Sequence, residues 1–281
     1  KNKLRDLRGA IEFLKGQEEL FTIEAEVDPI YEIAGIIKEL DGGPTLLFEK
    51  IKGYPHVRNI ANVFSRKEAI AAMFGISGSE QIMKKCHQAI KHPVPPEIVT
   101  DAPCQEVLVT DDIDVSSVIP IIKHTEEDAG RILGGLHVLI TGEYFDGGSE
   151  ISFKRMHFQG KNWASLMAGD HSHTGMMARK FKGKRVPITV NICTPPAVTM
   201  LAGGGSLHSV IPYGSDELGI AGGLQGFPVQ ICKAKTVDAY SVALSEWVIE
   251  GYLDLTKRVW ENKAAEEGGK WRHTPFFPEH G

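Results

Sequence analysis

The sequence predicts a mixed α/β protein in two parts: an α/β unit over residues 1–115, then a β-rich unit over residues 116–281. Three observations predict this. The 281 residues are enough for about two domains. Helical and strand periodicities alternate through the first part, which favours layered α/β packing. Past Pro120 the pattern changes to short β-rich runs separated by glycine turns, which suggests a barrel or sandwich.

The elements follow in order. Leu4, Leu7, Ile11 and Leu14 recur at helical spacing. Residues 20–27 alternate like a strand. Asp28-Pro29 reads as an N-cap with proline at the first helical position, opening a helix that holds Ile33, Ile37 and Leu40. Asp41-Gly42-Gly43-Pro44 ends it. Strands are expected at 45–51 and 57–63. Ser65-Arg66-Lys67-Glu68 reads as a capping box before a short helix. Another helix is expected near 80–91. His92-Pro93-Val94-Pro95-Pro96 is a proline-rich break and a candidate linker. Strands are then expected within 134–144, 151–159, 186–193, 229–235 and 247–253, with a helix at 174–182. The tail 261–270 is charged and reads as a solvated loop.

Composition narrows the function classes. Apolar residues make up 42% and charged residues 24%, ordinary globular usage that excludes fibrous and disordered chains. A formal charge of -5 argues against a nucleic-acid partner, because phosphate binding needs a basic surface. No apolar run approaches the ~20 residues of a membrane span. Cys86, Cys104, Cys193 and Cys232 are far apart in sequence and form no C-x-x-C pair. The expectation is reduced, buried thiols in a cytoplasmic protein without a signal peptide. Thirty glycines, concentrated between Gly130 and Gly226, point to tight turns or a backbone-lined ligand site.

Four polar features in the glycine-rich half are candidates for chemistry. In a strand at 150–155, Glu150, Ser152 and Lys154 share one face, and Ile151, Phe153 and Arg155 the other. An arginine on a mostly apolar face is paired, points into a site or ends a strand. Asp170-His171-Ser172-His173 precedes a helix, where histidines bind metal or anions, or simply cap. Gly203-Gly204-Gly205-Ser206-Leu207-His208, with Ser209 next, is a candidate phosphate nest but not a P-loop, and its ordinary reading is a glycine turn. Asp216-Glu217 precedes a small-residue helix and reads most simply as an N-cap. Taken together, Glu150, His173 and Glu217 would be two carboxylates and one imidazole, a set that suits Mn²⁺ or Mg²⁺ better than zinc.

These residues carry a family resemblance. Pro120-x-x-x-His124 followed by Glu127-Asp128-Ala129-Gly130-Arg131 resembles the segment entering the cofactor domain of the UbiD-like decarboxylases. Ser152-Phe153-Lys154-Arg155-Met156 is similar to the family's strand ending in Arg-Met, and His173 stands where its metal-binding histidine does. Gly214 to Gly219, Ser245 to Gly251 and Pro275 to Gly281 resemble further family segments, the last with one extra residue. Leu4-Arg5-Asp6-Leu7 to Glu19-Leu20 matches as well, so the resemblance spans essentially the whole chain.

The resemblance implies an N-terminal α/β domain and a split β-barrel flavin-binding domain. It implies prenylated FMN as cofactor, with Mn²⁺ (or Mg²⁺) and often K⁺. The implied reaction is reversible, non-oxidative decarboxylation of an aromatic or α,β-unsaturated carboxylic acid, with a flavin prenyltransferase as cofactor supplier. Carried over by position, Glu150, His173 and Glu217 are the implied metal ligands, Glu150 replacing the family's usual asparagine. Arg155 is the implied catalytic arginine, a fork of N–H donors for a carboxylate, and Glu279 the implied proton donor. Ser152, Phe153, Lys154, Arg155, Ser172, His173 and Glu217 are implied around the flavin. Ser206, Leu207, His208 and Ser209 fall where the family wraps the phosphate.

Two departures stand out. Where the family has a second acidic residue, this chain has Arg272-His273-Thr274, so His273 is expected to take part of that role. This hints at a substrate outside the cinnamate type, such as a hydroxylated or larger aromatic acid. The family's C-terminal α/β part, which carries the oligomer contacts of a full-length homo-oligomer, is absent from these 281 residues. The chain therefore reads as a portion of a longer protein, with Glu279 weakly held. The competing readings are a flavin- or nucleotide-binding module without decarboxylase activity, an inactive fragment, and a metal-dependent hydrolase.

Overall fold

The computed structural model describes residues 3–126, 132–204 and 210–260. The first part opens with α1 (Leu7–Gly16), whose N-cap Asp6 accepts from the Gly9 N–H at 2.7 Å. β1 (Leu20–Val27), α2 (Glu32–Glu39), β2 (Thr45–Ile51) and β3 (Asn59–Ala61) follow. β1 and β2 are parallel and β3 is antiparallel to β2. Val27, Ile33, Leu46, Phe48 and Ile51 fill the core under α2.

Two start signals act differently from the expectation. α2 begins three residues past Pro29, with Tyr31 at the N-cap position in the left-handed region. Asp28 instead builds a turn: its Oδ1 accepts from the Ile30 N–H, while Glu32 Oε2 accepts from the Asp28 N–H. The expected capping box does not form. α3 (Lys67–Met73) has Arg66 at its N-cap, and Ser65 Oγ donates to the carbonyls of Gly43 and Asn62. At Ser65 the Gly43 carbonyl, distant in sequence, takes a hydroxyl that local sequence reserves for the helix, and at Asp28 a local turn takes the carboxylate. The expected strand at 57–63 shortens to three residues.

α4 (Ile82–Lys91) leads into the proline-rich stretch, which runs along the second part. β4 (Glu97–Ile98) and the short α5 (Val115–Val118) come next. The second part then contains β5 (Ile132–Leu133), β6 (Leu136–Thr141), β7 (Ser149–Phe153), β8 (Met156–Phe158) and β9 (Ala164–Leu166). α6 (His173–Lys180), β10 (Arg185–Ile192), α7 (Pro196–Ala202) and α8 (Glu217–Gln225) follow, then β11 (Gln230–Lys233), β12 (Tyr240–Val242) and β13 (Trp247–Asp254).

The main sheet has the order β13-β10-β6-β7, all antiparallel. β6 is buried on both faces, which is why it reads as an apolar run interrupted only by His137 from Leu136 to Ile140. Leu136, Val138 and Ile140 face one core with Val186, Ile188 and Val190. Leu139 faces a second core with Ile151, Val198, Leu218 and Ala221, beneath α7 and α8. Two smaller sheets, β12-β11-β4 and β5-β8-β9, complete the architecture. Among the described residues the sheets do not close into a barrel, and the chain is a mixed α/β fold.

α8 is almost wholly buried, and its small residues let the chain approach closely. A Cβ on Gly222 would lie 2.3 Å from the Val94 carbonyl oxygen. The proline-rich stretch is thus a packed crossing held to α8, with the Val94 N–H donating to the Gly219 carbonyl at 2.8 Å. No helix among the described residues is long and apolar enough to cross a membrane.

Candidate active site

The site is built on β7, the edge strand of the main sheet. Gly148 brings this strand against residues 214–216: a Cβ there would lie 2.3 Å from the Gly214 carbonyl oxygen. Ser149 N–H donates to the Ser215 carbonyl, and Ser149 Oγ donates to Asp216 Oδ1 at 2.6 Å. The same hydroxyl accepts from the Leu218 N–H at 2.9 Å. Asp216 occupies the N-cap position of α8 without a side-chain capping bond. The expected Asp216 cap is therefore supplied by Ser149, from another element.

Glu217 follows on the first turn of α8. Its Oε2 accepts from the outward-facing Ile151 N–H at 2.9 Å, satisfying an edge-strand donor that would otherwise be buried without a partner. Its Oε1 meets His173 Nδ1 at 2.9 Å. His173 is the first residue of α6, whose N-cap Ser172 accepts from the Gly175 N–H. The rings of Phe145 and Tyr213 flank His173, at centroid distances of 5.4 and 6.0 Å. Burial pushes the Glu217 carboxyl up, and the hydrogen bond to Glu217 pushes the His173 imidazole up.

Glu150, Ser152 and Lys154 do share one face. Lys154 Nζ donates to Ser152 Oγ at 2.6 Å, and Ser152 Oγ donates to Glu150 Oε1 at 2.5 Å. Thr174 Oγ1, in the first turn of α6, donates to the same Oε1 at 2.7 Å. Lys154 and Glu150 are an ion pair at 3.6 Å, and both side chains are buried. The strand ends at Phe153, so the alternation stops short of Arg155. Lys154 and Arg155 turn the chain from β7 into β8 of a different sheet.

A cavity of about 260 Å³ opens at this point. Of the residues expected there, Glu150, Ser152, Phe153, Lys154, Ser172, His173 and Glu217 line it, together with Gly203 and Gly204 from the glycine run. Arg155 is half-buried and is not part of the lining. Ser206, Leu207, His208, Ser209, His273 and Glu279 lie outside the described residues. Leu201 and Ala202 at the end of α7, and Ile211, form an apolar wall that sequence reasoning missed. The signal was present in Pro195-Pro196, a proline at a helix start.

The donor chemistry fits a hard cation. Glu150 Oε2 is buried and has no hydrogen-bond partner among the described residues. A carboxylate oxygen buried this way is costly unless a cation meets it. Among the described residues, however, no three His, Cys, Asp or Glu side chains are arranged to hold a metal ion. In this arrangement Glu217 and His173 face one another, and Glu150 is held by Thr174, Ser152 and Lys154.

Comparison with known proteins identifies the family. The model of the 3-octaprenyl-4-hydroxybenzoate carboxy-lyase Rift-related domain matches residues 97–277, and the N-terminal domain of the same carboxy-lyase matches residues 11–89. The chain belongs to the UbiD family. It is 27% identical to gallate decarboxylase of Lactiplantibacillus plantarum over 97% of this chain and 58% of that protein. It superposes on the UbiD-class enzyme HmfF from Pelotomaculum thermopropionicum, solved in complex with prFMN, with a TM-score of 0.81 and 30% identity. That match covers 88% of this chain and 57% of the HmfF chain. It also superposes on apo 3,4-dihydroxybenzoic acid decarboxylase (AroY) of Klebsiella pneumoniae, with a TM-score of 0.82 and 28% identity, over 94% and 57% of the two chains. The chain therefore spans somewhat more than half the length of these UbiD relatives.

Proposed function

We propose that this chain is the N-terminal and cofactor-binding portion of a carboxy-lyase that decarboxylates an aromatic carboxylic acid, reversibly, with prenylated FMN and a divalent metal. The observation that carries the proposal is the cavity where Glu150, His173 and Glu217 meet Ser152, Phe153, Lys154 and Gly203. Membership of the UbiD family supports the reaction class, and the prFMN complex of HmfF supports the cofactor. Gallate and 3,4-dihydroxybenzoic acid, acted on by two of the relatives, are hydroxylated aromatic acids and favour that substrate class. We assign residues 1–115 to the N-terminal unit and 116–281 to a split-barrel cofactor unit. A homo-oligomeric full-length enzyme, supplied by a flavin prenyltransferase, belongs to the same reading.

Glu150, His173 and Glu217 would hold Mn²⁺ or Mg²⁺, and K⁺ belongs to the same proposal. The unpartnered Glu150 Oε2 would be one of the oxygens offered to such a cation. When bound, prenylated FMN would supply 1,3-dipole chemistry toward an unsaturated acid, and Ser152, Phe153 and Lys154 would line its side of the cavity. The apolar wall of Leu201, Ala202 and Ile211 excludes water from one side of the cavity. The exposed Phe153 ring, edge-on to His137 at 4.3 Å, offers a flat apolar surface. Arg155 binds a carboxylate through its guanidinium fork. Glu279 delivers the proton to the carbon that loses CO₂, with His273 assisting.

The test is co-expression of the full-length protein with a flavin prenyltransferase. The expected result is a bound prenylated flavin, stoichiometric divalent metal and CO₂ release from a hydroxylated benzoic acid. A protein that binds flavin and metal but turns over no carboxylic acid in a broad panel would favour the binding-module reading. Hydrolysis without flavin would overturn the proposal.

A further inference from the structure

The four cysteines are spread through the sequence, yet two of them meet in space. Cys104 Sγ and Cys232 Sγ lie 3.7 Å apart across 128 residues of chain. Both are free thiols. Cys104 sits in the single turn 103–105, and Cys232 in β11 is paired with Ser241 of β12. Their surroundings are apolar, formed by Ala102, Ala243 and Val99.

The backbones around the two thiols are held in register. Val99 N–H donates to the Ile231 carbonyl at 2.8 Å, and Cys104 N–H donates to the Ala243 carbonyl at 3.2 Å. Gln105 Nε2 donates to the Lys233 carbonyl at 2.8 Å. The two stretches of main chain that carry the thiols are thus fixed against each other. Moving them from 3.7 Å to the ~2.05 Å of a disulfide is within the reach of side-chain rotation. Cys104 is half-buried, so a small oxidant reaches the pair, while Cys232 is buried.

We propose that Cys104 and Cys232 are a peroxide-reactive pair that closes to an intramolecular disulfide and reopens with thiol reductant. The chemistry balances with hydrogen peroxide as the two-electron oxidant. One sulfur attacks a peroxide oxygen, the O–O bond breaks, and that sulfur becomes a sulfenic acid as the first water leaves. The second sulfur then attacks it, the S–O bond breaks, the S–S bond forms, and a second water carries off the remaining proton. The cross-link ties the segment after the proline-rich crossing to the strand that follows α8, the helix bearing Glu217. It lies apart from the cavity, which no cysteine lines, so it does not depend on the proposed decarboxylation.

The full-length protein is treated with hydrogen peroxide, quenched with catalase, and its thiols counted in denaturant. The same sample is digested and mapped without reduction. The expected result is the loss of two thiols relative to the untreated protein and one joined peptide pair carrying Cys104 and Cys232, both reversed by dithiothreitol. The oxidised protein unfolds at a higher temperature than the reduced one, and this shift is absent in Cys104→Ser. An unchanged thiol count, a joined pair involving Cys86 or Cys193 in place of Cys104–Cys232, or a Cys104 sulfinic acid without a cross-link would each overturn the proposal.

Discussion

His173 Nδ1 and Glu217 Oε1 lie 2.9 Å apart although 44 residues separate them. Each opens a helix, and the two helix starts converge on the free edge of β7. The pair is buried, and Thr174, next to His173, reaches across to Glu150 at 2.7 Å. Glu150, His173 and Glu217 all line a single cavity.

The first prediction concerns that cavity. Glu217→Gln should remove stoichiometric Mn²⁺ from the purified holoenzyme, measured by metal analysis. Thr174→Val keeps the shape but deletes the donor to Glu150. It should weaken metal affinity by about 10–100-fold while costing about 1 kcal/mol of stability. Unchanged metal content in both variants would remove Glu150 and Glu217 from the ligand set.

Under the proposed function Arg155 and Glu279 act in catalysis, and their substitution is expected to leave the flavin bound. Arg155→Lys keeps the charge but loses the planar fork. Glu279→Gln removes the titrating proton and should lower kcat by about a hundredfold or more. Both variants should retain the flavin spectrum. Full activity in both would dismiss the assignment.

His137 carries the pH prediction. It is buried, its Nε2 has no hydrogen-bond partner among the described residues, and burial pushes its pKa down to about 4. The folded state therefore holds it neutral, while the unfolded chain protonates it near 6.5. Its contribution is fully present above pH 6.5 and is lost as pH falls toward 4. The loss is on the order of 3 kcal/mol across that window. Urea midpoints measured between pH 7 and 4 should fall less steeply in His137→Gln. Identical slopes would show that another group governs acid sensitivity.

Gly222→Ala tests the close packing of α8. Its Cβ would meet the Val94 carbonyl oxygen at 2.3 Å, and a backbone atom must move to admit it. A destabilisation of about 1–3 kcal/mol is expected, although alanine is the better helix former in isolation. A stabilised variant in denaturant unfolding would mean that the crossing at residues 92–94 is not tightly docked.

The chain by itself determined much of this protein. Periodicity placed β1, β2, β10 and β13 nearly to the residue, because a strand's alternation and an apolar run are local properties. Residue types and their spacing drew attention to Glu150, His173 and Glu217, and the family followed from several short motifs in order. Tertiary structure decided what those residues touch. Ser149, not Asp216, caps α8; Glu217 satisfies the edge of β7; and Ser65 abandons its helix for the Gly43 carbonyl. Cys104 and Cys232, which spacing alone set far apart, stand side by side. The physical reason is common to all four. Helix and strand patterns record how a residue relates to neighbours a few positions away. A cap, an edge donor or a thiol pair joined across tens of residues depends on which surfaces the folded layers press together.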